Sequence, residues 1–288
     1  MIKITQDILK EIYTPRSPET RKYDYGLMLV IGGSEFYSGA PAMAALAGFR
    51  AGLDMVRIIA PKRAADVIAS FSPILAAYPL AGHYLLGEHV ATLLAMTISA
   101  KEVARGNVSV VIGSGLGRTE ETQDAIVEYL SQLDDIPVVI DADAIHAVVK
   151  KPQVIMGKRF VVTPNRYEFM LLSGVEIRLL PEDERIKIVQ EEAARLGTTI
   201  LFKAATDVIS DGKEVVLNES GSPYMSVGGT GDTLAGITGA LLARNISPLK
   251  AAGAAAYMNG RAGEIAAGKF KDSLVATDLI EAIPEVIL

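Results

Sequence analysis

The sequence predicts an α/β fold, a mostly parallel sheet with helices on both faces. Three observations carry this. Short runs that are apolar on both faces, such as Leu27-Met28-Leu29-Val30-Ile31, recur along the chain, and strands buried on both faces belong to parallel sheets. Each run ends in a turn and is followed by a helical pattern. Half of the 288 residues are apolar, enough to fill a large core.

The elements follow in order. Residues 1–25 are a polar lead-in bearing Thr14-Pro15-Arg16-Ser17-Pro18, with a short helix expected over Thr5 to Ile12. Leu27 to Ile31 is the first buried strand, closed by Gly32-Gly33-Ser34. Ser38-Gly39-Ala40-Pro41 opens a helix, with Pro41 where its missing N–H costs nothing. That helix, to about Gly52, carries Ala and Gly on its inner face and permits close backbone packing. Met55 to Ala60 is a strand, and Pro61 begins another helix. Val108 to Ile112 is a strand ending in Gly113-Ser114-Gly115-Leu116-Gly117, with a helix near Glu120 to Leu133. Val138 to Ile140 ends in Asp141-Ala142-Asp143, and alternation would put the two carboxylates on one side. Arg159 to Val162 ends in Thr163-Pro164-Asn165-Arg166-Tyr167-Glu168. A helix is expected over Pro181 to Leu196 and a strand over Thr199 to Phe202, ending in Lys203. Val208 to Val216 reads as a hairpin turning at Asp211-Gly212. Two or three Ala-rich helices finish the chain. No linker or repeat interrupts it, so one domain over 1–288 is expected.

Composition limits the function. Net charge is −6 without a basic run, which argues against a nucleic-acid or anionic-membrane partner. Cysteine is absent, so no disulfide framework or thiolate metal site exists. Met1 to Asp7 lacks the shape of a signal peptide. The longest apolar runs, such as Thr233 to Ala243, fall short of the ~18 residues of a membrane span. A soluble, cytoplasmic protein is expected.

The chemistry concentrates in Val227-Gly228-Gly229-Thr230-Gly231-Asp232, which leads into an apolar helix over Ile237 to Ala243. Glycines let a ligand approach the main chain, and a helix N-terminus offers unpaired N–H groups and a positive dipole end to an anion. A carboxylate inside an anion site is costly, so Asp232 is assigned the task of taking a proton from a hydroxyl during phosphoryl transfer. The alternative is a glycine-rich turn with an ordinary N-cap.

In open α/β sheets ligands bind beyond the carboxyl ends of the strands. The turns at 32–34, 113–117, 141–143, 165–168, Lys203 and 228–232 should therefore converge on one cleft. Asn165 and Glu168, three residues apart on a first helical turn, are either Mg²⁺ ligands, directly or through water, or a capping box. Asp141 and Asp143 read as acceptors for a polar ligand, as part of a metal's outer shell, or as helix caps. Lys203 is placed to meet a phosphate as a point charge. Gly113 to Gly117 is G-x-G-x-G rather than the dinucleotide G-x-G-x-x-G, a weak sign of NAD binding but a fair one of close backbone approach. His83, His89 and His146 show no metal spacing and read as structural or surface residues. No G-x-S-x-G elbow or P-loop is present.

Val227 to Asp232 with its helix resembles the G-[TAS]-G-D signature of the ribokinase-like superfamily. Within it, Tyr25-Gly26, Gly32-Gly33-Ser34, Tyr37-Ser38-Gly39-Ala40-Pro41, Val139 to Ala144 and Thr163-Pro164 resemble the NAD(P)H-hydrate dehydratase family. The resemblance runs from about residue 15 to the end and lacks the epimerase domain often fused to such enzymes.

It implies a three-layer α/β/α fold and a cytoplasmic lyase that restores NADH or NADPH from the (S)-hydrate, NADHX or NADPHX, driven by ADP rather than ATP, with Mg²⁺. Asp232 would be the base and Gly228, Gly229, Thr230 and Gly231 the anion hole. Ala40, Gly115, Asn165 and Asp232 would touch the hydrate. Lys203, Ala204, Ala205, Thr206, Asp207 and Gly231 would hold the nucleotide. A separate epimerase is an implied partner, and a homo-oligomer is expected, with the Ala/Gly-rich stretch Ala251 to Gly268 available for packing within or between subunits. Two departures stand out: the family commonly has His and then Pro-Gly where this chain has Asn165-Arg166-Tyr167, and Gly where it has Ala204. The first resembles the N-x-x-E of sugar kinases, so a small-molecule kinase is the alternative. A non-catalytic nucleotide sensor is a third reading, disfavoured because a sensor needs no base.

Overall fold

The computed structural model describes residues 2–287. Its strands are β1 (Ile2–Lys3), β2 (Leu27–Ile31), β3 (Met55–Pro61), β4 (Ala76–Leu80), β5 (Val108–Ile112), β6 (Val138–Ile140), β7 (Phe160–Val162), β8 (Thr199–Phe202), β9 (Asp207–Ser210) and β10 (Val215–Asn218). They form one sheet in the order β1-β10-β9-β8-β7-β6-β5-β2-β3-β4. Every neighbouring pair is parallel except β8 with β9 and β9 with β10, the expected hairpin.

The helices are α1 (Asp7–Ile12), α2 (Gly39–Arg50), α3 (Lys62–Phe71), α4 (Val90–Val103), α5 (Glu120–Ser131), α6 (Asp143–Lys150), α7 (Arg166–Ser173), α8 (Glu182–Leu196), α9 (Thr230–Ala243), α10 (Pro248–Phe270) and α11 (Ala276–Ile287). Strand alternation sorts them into two layers. Met28 and Val30 of β2, Val111 of β5 and Val139 of β6 join a core shared with α2, α3, α9, α10 and α11. Leu27, Leu29 and Ile31, with Val110, Ile112 and Ile140, join the core shared with α4 to α8. Because both faces are covered, the central strands are apolar throughout. The three-layer α/β/α expectation holds.

The small residues of α2 do what their size allows. A Cβ on Gly236 of α9 would stand 2.0 Å from the Ala44 carbonyl oxygen, and one on Gly48 would stand 2.6 Å from the Met28 side chain. Helices α2 and α9 therefore pack nearly backbone to backbone above β2 and β5, which fixes where the start of α9 lies.

Three differences from the sequence reading concern position. Strand β4 and helix α4, between Phe71 and Val108, had no expected counterpart. β4 is an exposed edge with a proline, and α4 shows no clean apolar stripe, since Ile98 is exposed while Thr97 is buried. Helix α9 begins at Thr230, so Asp232 stands in its first turn rather than in a preceding loop. Asp141 and Asp143 also part ways. Asp141 follows β6, Ala142 takes a left-handed φ of 49°, and Asp143 opens α6, so the alternation of an extended strand does not reach it.

Candidate active site

The carboxyl ends of β2, β5, β6, β7 and β8 meet the start of α9. The approaches are close because glycines allow them. A Cβ on Gly32 would lie 2.5 Å from the Ser114 carbonyl oxygen, and one on Gly113 only 1.8 Å from that of Asp141. Gly33 N–H donates to Ser114 O at 2.8 Å, and Lys203 N–H to Pro164 O at 2.9 Å. Gly115 carries a positive φ and sits against Tyr37, with the Ala40 Cβ 3.8 Å from where its own would be. The expected convergence is therefore present for 32–33, 113–115, 141, 163–168, 203 and 231–232.

At its centre Lys203 Nζ donates to Asp141 Oδ1 at 2.8 Å and lies 4.0 Å from Glu168 Oε2. Thr163 Oγ1 donates to the same Asp141 oxygen at 2.6 Å. Burial works to lower the Lys203 pKa, but Asp141, Glu168 and Asp232 together outweigh it and hold the ammonium above its ordinary value. Burial raises Glu168, and Lys203 offsets part of that. Asp232 is pushed up to about 6, first by burial and then by Asp141. Against these act the nearby Ser114 hydroxyl, which is buried and has no hydrogen-bond partner among the described residues, and Lys203. A carboxyl poised near neutrality with a cation at hand is suited to accept a proton.

The two helix N-termini in the cleft differ. At α7, Asn165 Oδ1 accepts from Glu168 N–H at 3.0 Å and Glu168 Oε2 accepts from Asn165 N–H at 2.8 Å, a complete capping box. Of the readings the spacing allowed, the capping box is formed, and it engages the Asn165 amide oxygen and one Glu168 carboxylate oxygen. The exposed Asn165 Nδ2 and the second Glu168 oxygen remain. At α9 no side chain among the described residues caps the helix. Thr230 Oγ1 turns back to Met225 O and Val227 O, so it does not cap the amides of the first turn of α9.

Asp141 meets Thr163 and Lys203 through one oxygen, whereas both oxygens of Asp143 have partners within the chain. Asp143 accepts from Gly117 N–H at 2.9 Å and from Arg118 Nε at 2.7 Å. The segment after Lys203 is a turn, in which Asp207 accepts from Ala204 N–H at 3.0 Å and from Asn218 Nδ2 at 2.9 Å. Burial raises Asp207 to about 6, and its two acceptor bonds make it a closer of the turn. Ala204, Ala205 and Thr206 line a shallow depression with Glu182, Arg185 and Phe202.

His89 is buried and accepts from Leu86 N–H at 3.1 Å, His83 is exposed beside Glu35, and His146 stands at the cleft's rim 6.2 Å from the Tyr167 ring. Sequence reasoning assigned no role to Ser114, Thr163 or Arg118. A hydroxyl or arginine near a glycine turn has no local signal, and only the folded cleft shows what each faces.

Gly229 and Gly231 separate shape from function. Gly229 has φ 99°, and a Cβ there would meet Met43 and Ala276 within 2.7 Å. A Cβ on Gly231 would meet only Lys203 Nζ, at 3.6 Å. Gly231→Ala is therefore expected to keep the parent's melting temperature within a few degrees while weakening nucleotide binding roughly tenfold or more by filling the anion site. Titration calorimetry with ADP checks this; unaltered affinity in a folded variant would remove Gly231 from the nucleotide site.

The sequence pattern of the NAD(P)H-hydrate dehydratase family matches residues 28–285. The chain is 44% identical over 275 residues to a bifunctional NAD(P)H-hydrate repair enzyme of Pyrobaculum aerophilum, covering 94% of this chain and 52% of that protein. It is 39% identical over 284 residues to an ADP-dependent (S)-NAD(P)H-hydrate dehydratase of Cenarchaeum symbiosum, covering 99% of this chain and 96% of that one. The chain thus spans about half the length of the bifunctional relatives and nearly all of the other. A Bacillus subtilis ADP/ATP-dependent NAD(P)H-hydrate dehydratase, co-crystallised with ATP/Mg²⁺, superposes with a TM-score of 0.78 at 25% identity, covering 98% of this chain and 96% of that one. The architecture is the ribokinase-like one. With a family pattern running from β2 to α11 and the cleft at the carboxyl ends of the strands, this chain belongs to the NAD(P)H-hydrate dehydratase family.

Proposed function

We propose that the protein dehydrates the (S)-hydrate of NADH or NADPH, using ADP in preference to ATP as phosphoryl donor. The observation that carries this is Asp232 in the first turn of an uncapped α9, buried enough to be raised to about 6 and set beside Lys203. The names of the relatives, ADP-dependent for that of Cenarchaeum symbiosum and ADP/ATP-dependent for that of Bacillus subtilis, support such a donor.

The Asp232 carboxylate takes the proton of the C6 hydroxyl, and that oxygen attacks the terminal phosphorus of ADP. The bond to the bridging oxygen breaks and AMP departs with the electron pair. The ring nitrogen's lone pair then expels phosphate from C6, and loss of a C5 proton restores the dihydronicotinamide. Hydroxide is a poor leaving group and phosphate a good one, which is why a nucleotide is consumed. The amides of Gly228, Gly229, Thr230 and Gly231 lie where the charge of the transferred group develops, with Lys203 alongside. Ala40, Gly115 and Asn165 Nδ2 flank the hydrate, and Lys203 through Asp207 the nucleotide.

Mg²⁺ belongs to this reading. Among the described residues no three His, Cys, Asp or Glu side chains group as a protein cage. That suits a cation that arrives on nucleotide phosphates and keeps most of its waters, with the second Glu168 oxygen as a water-mediated contact. When bound, the ion neutralises phosphate charge. A separate epimerase supplying the (S)-hydrate is the implied partner.

The test is recovery of NADH's near-ultraviolet absorbance from its hydrate with Mg²⁺ and either ADP or ATP. Recovery that needs a nucleotide, and faster with ADP, is expected. No recovery by folded protein that still binds nucleotide would replace this reading with a small-molecule kinase, for which the N-x-x-E turn of α7 speaks.

A further inference from the structure

Arg118 is the exposed cation of the cleft that the reaction just described does not use. Its backbone follows the Gly113 to Gly117 turn, and its carbonyl oxygen accepts from Gln123 Nε2 at 3.1 Å, which ties the turn to α5. Its side chain is gripped by one edge only. Asp143 binds Arg118 Nε through one carboxylate oxygen and Gly117 N–H through the other. The Asp143 side chain is 13% exposed and that of Arg118 56%, so the carboxylate is a buried anchor and the guanidinium projects. Among the described residues the two terminal Nη groups have no hydrogen-bond partner. They form the fork that matches two oxygens of a phosphate.

The position is that of the site's rim. Arg118 acts electrostatically on Glu168 and on His146, and Asp143 on Asp232. Two residues before Arg118 in the same turn lies Leu116, and before it Gly115, packed on Tyr37 and close to Ala40. Lys203, at the centre of the cleft, is shared among Asp141, Glu168 and Asp232 and is taken up with the transferred phosphoryl group, so a second phosphate calls for another cation. Arg166, the other exposed arginine nearby, has no such anchor among the described residues and would lose side-chain freedom on binding.

We propose that Arg118, positioned by Asp143, binds a phosphate of the hydrated dinucleotide and so sets the affinity for that substrate apart from the affinity for ADP. This rests on the dehydratase reading, since a dinucleotide held by its nicotinamide ring at Asp232 must run its phosphates out over the rim. Two phosphate groups share this chemistry, the pyrophosphate common to both hydrates and the 2′-phosphate of NADPHX.

The experiment compares the parent with Arg118→Ala and Asp143→Asn, using NADHX and NADPHX as substrates. Binding of NADH and NADPH, read by their fluorescence, runs in parallel. Arg118→Ala should raise the KM for the dinucleotide and weaken reduced-dinucleotide binding by roughly tenfold or more, the loss of a charge-assisted phosphate contact. The effect should fall on KM rather than kcat, and the KM for ADP should stay within about twofold. Asp143→Asn should move the same constants in the same direction, and less. An effect on both hydrates assigns the pyrophosphate, and one on NADPHX alone assigns the 2′-phosphate. Dinucleotide constants that do not move, or an ADP constant that moves instead, would overturn the proposal. Parent protein that fails to restore NADH from its hydrate overturns the dehydratase reading instead, a result seen before any variant is made.

Discussion

Asp232→Asn is expected to lower kcat by about two to four orders of magnitude while ADP still binds, because general-base catalysis supplies ~10²–10⁴-fold and the amide cannot take the proton. The fold should survive. A carboxyl raised in the native state to about 6 binds its proton more tightly when folded than when unfolded, where its pKa is about 3.9. Ionising it therefore opposes folding, and that opposition sets in as pH rises from about 4 to about 6. Asparagine removes it, so the variant should be at least as stable as the parent at pH 7. In the parent, kcat/KM should rise with pH along an acid limb centred near 6 and level off above it. Turnover by Asp232→Asn within tenfold of the parent, with the acid limb intact, would assign the base elsewhere.

The second large effect is expected at Lys203. Replacing it by methionine leaves Asp141, Glu168 and Asp232 facing one another with no cation among them. Asp141 is nearly fully buried and Lys203 largely so, and removing one partner of a buried pair typically costs ~3–5 kcal/mol. The loss should be near that size at pH 8 and smaller at pH 5, where the stranded carboxyls take up protons. Urea unfolding at the two pH values measures it. Because the Lys203 charge also holds Asp232 down, residual activity should show its acid limb displaced above 6. Equal stability of the variant and parent at pH 8 would mean that the cluster is far better solvated than its geometry implies.

The pH behaviour of the two variants together distinguishes the roles. Asp232→Asn removes the titrating group, whereas Lys203→Met keeps it and changes what surrounds it. Only an assignment in which Asp232 is the base and Lys203 its electrostatic partner yields a lost limb in one and a shifted limb in the other.

Much of this protein was legible in its sequence, for identifiable physical reasons. The doubly buried strands at 27–31, 108–112 and 199–202 announce themselves because a strand covered on both faces has no polar positions. The hairpin at 207–218 is marked by Asp211-Gly212, and the glycine loop before α9 by conformations and close approaches that few other residues permit. Rules of chain connection then bring the turns to one end of the sheet, so the cleft and the place of Asp232 and Lys203 in it followed without coordinates. What only the tertiary structure decided is which group each side chain faces. Asn165 and Glu168 have the same spacing whether they hold a metal or cap a helix, and the cap is what forms. Asp141 and Asp143 are two residues apart, yet the turn at Ala142 sends one to Lys203 and the other to Arg118. Ser114 gains meaning only from Asp232, more than a hundred residues away in the chain. Periodicity and turn chemistry are local and are written in neighbouring residues; partner choice and pKa depend on burial and charge brought together by the fold, and no short stretch of sequence contains them.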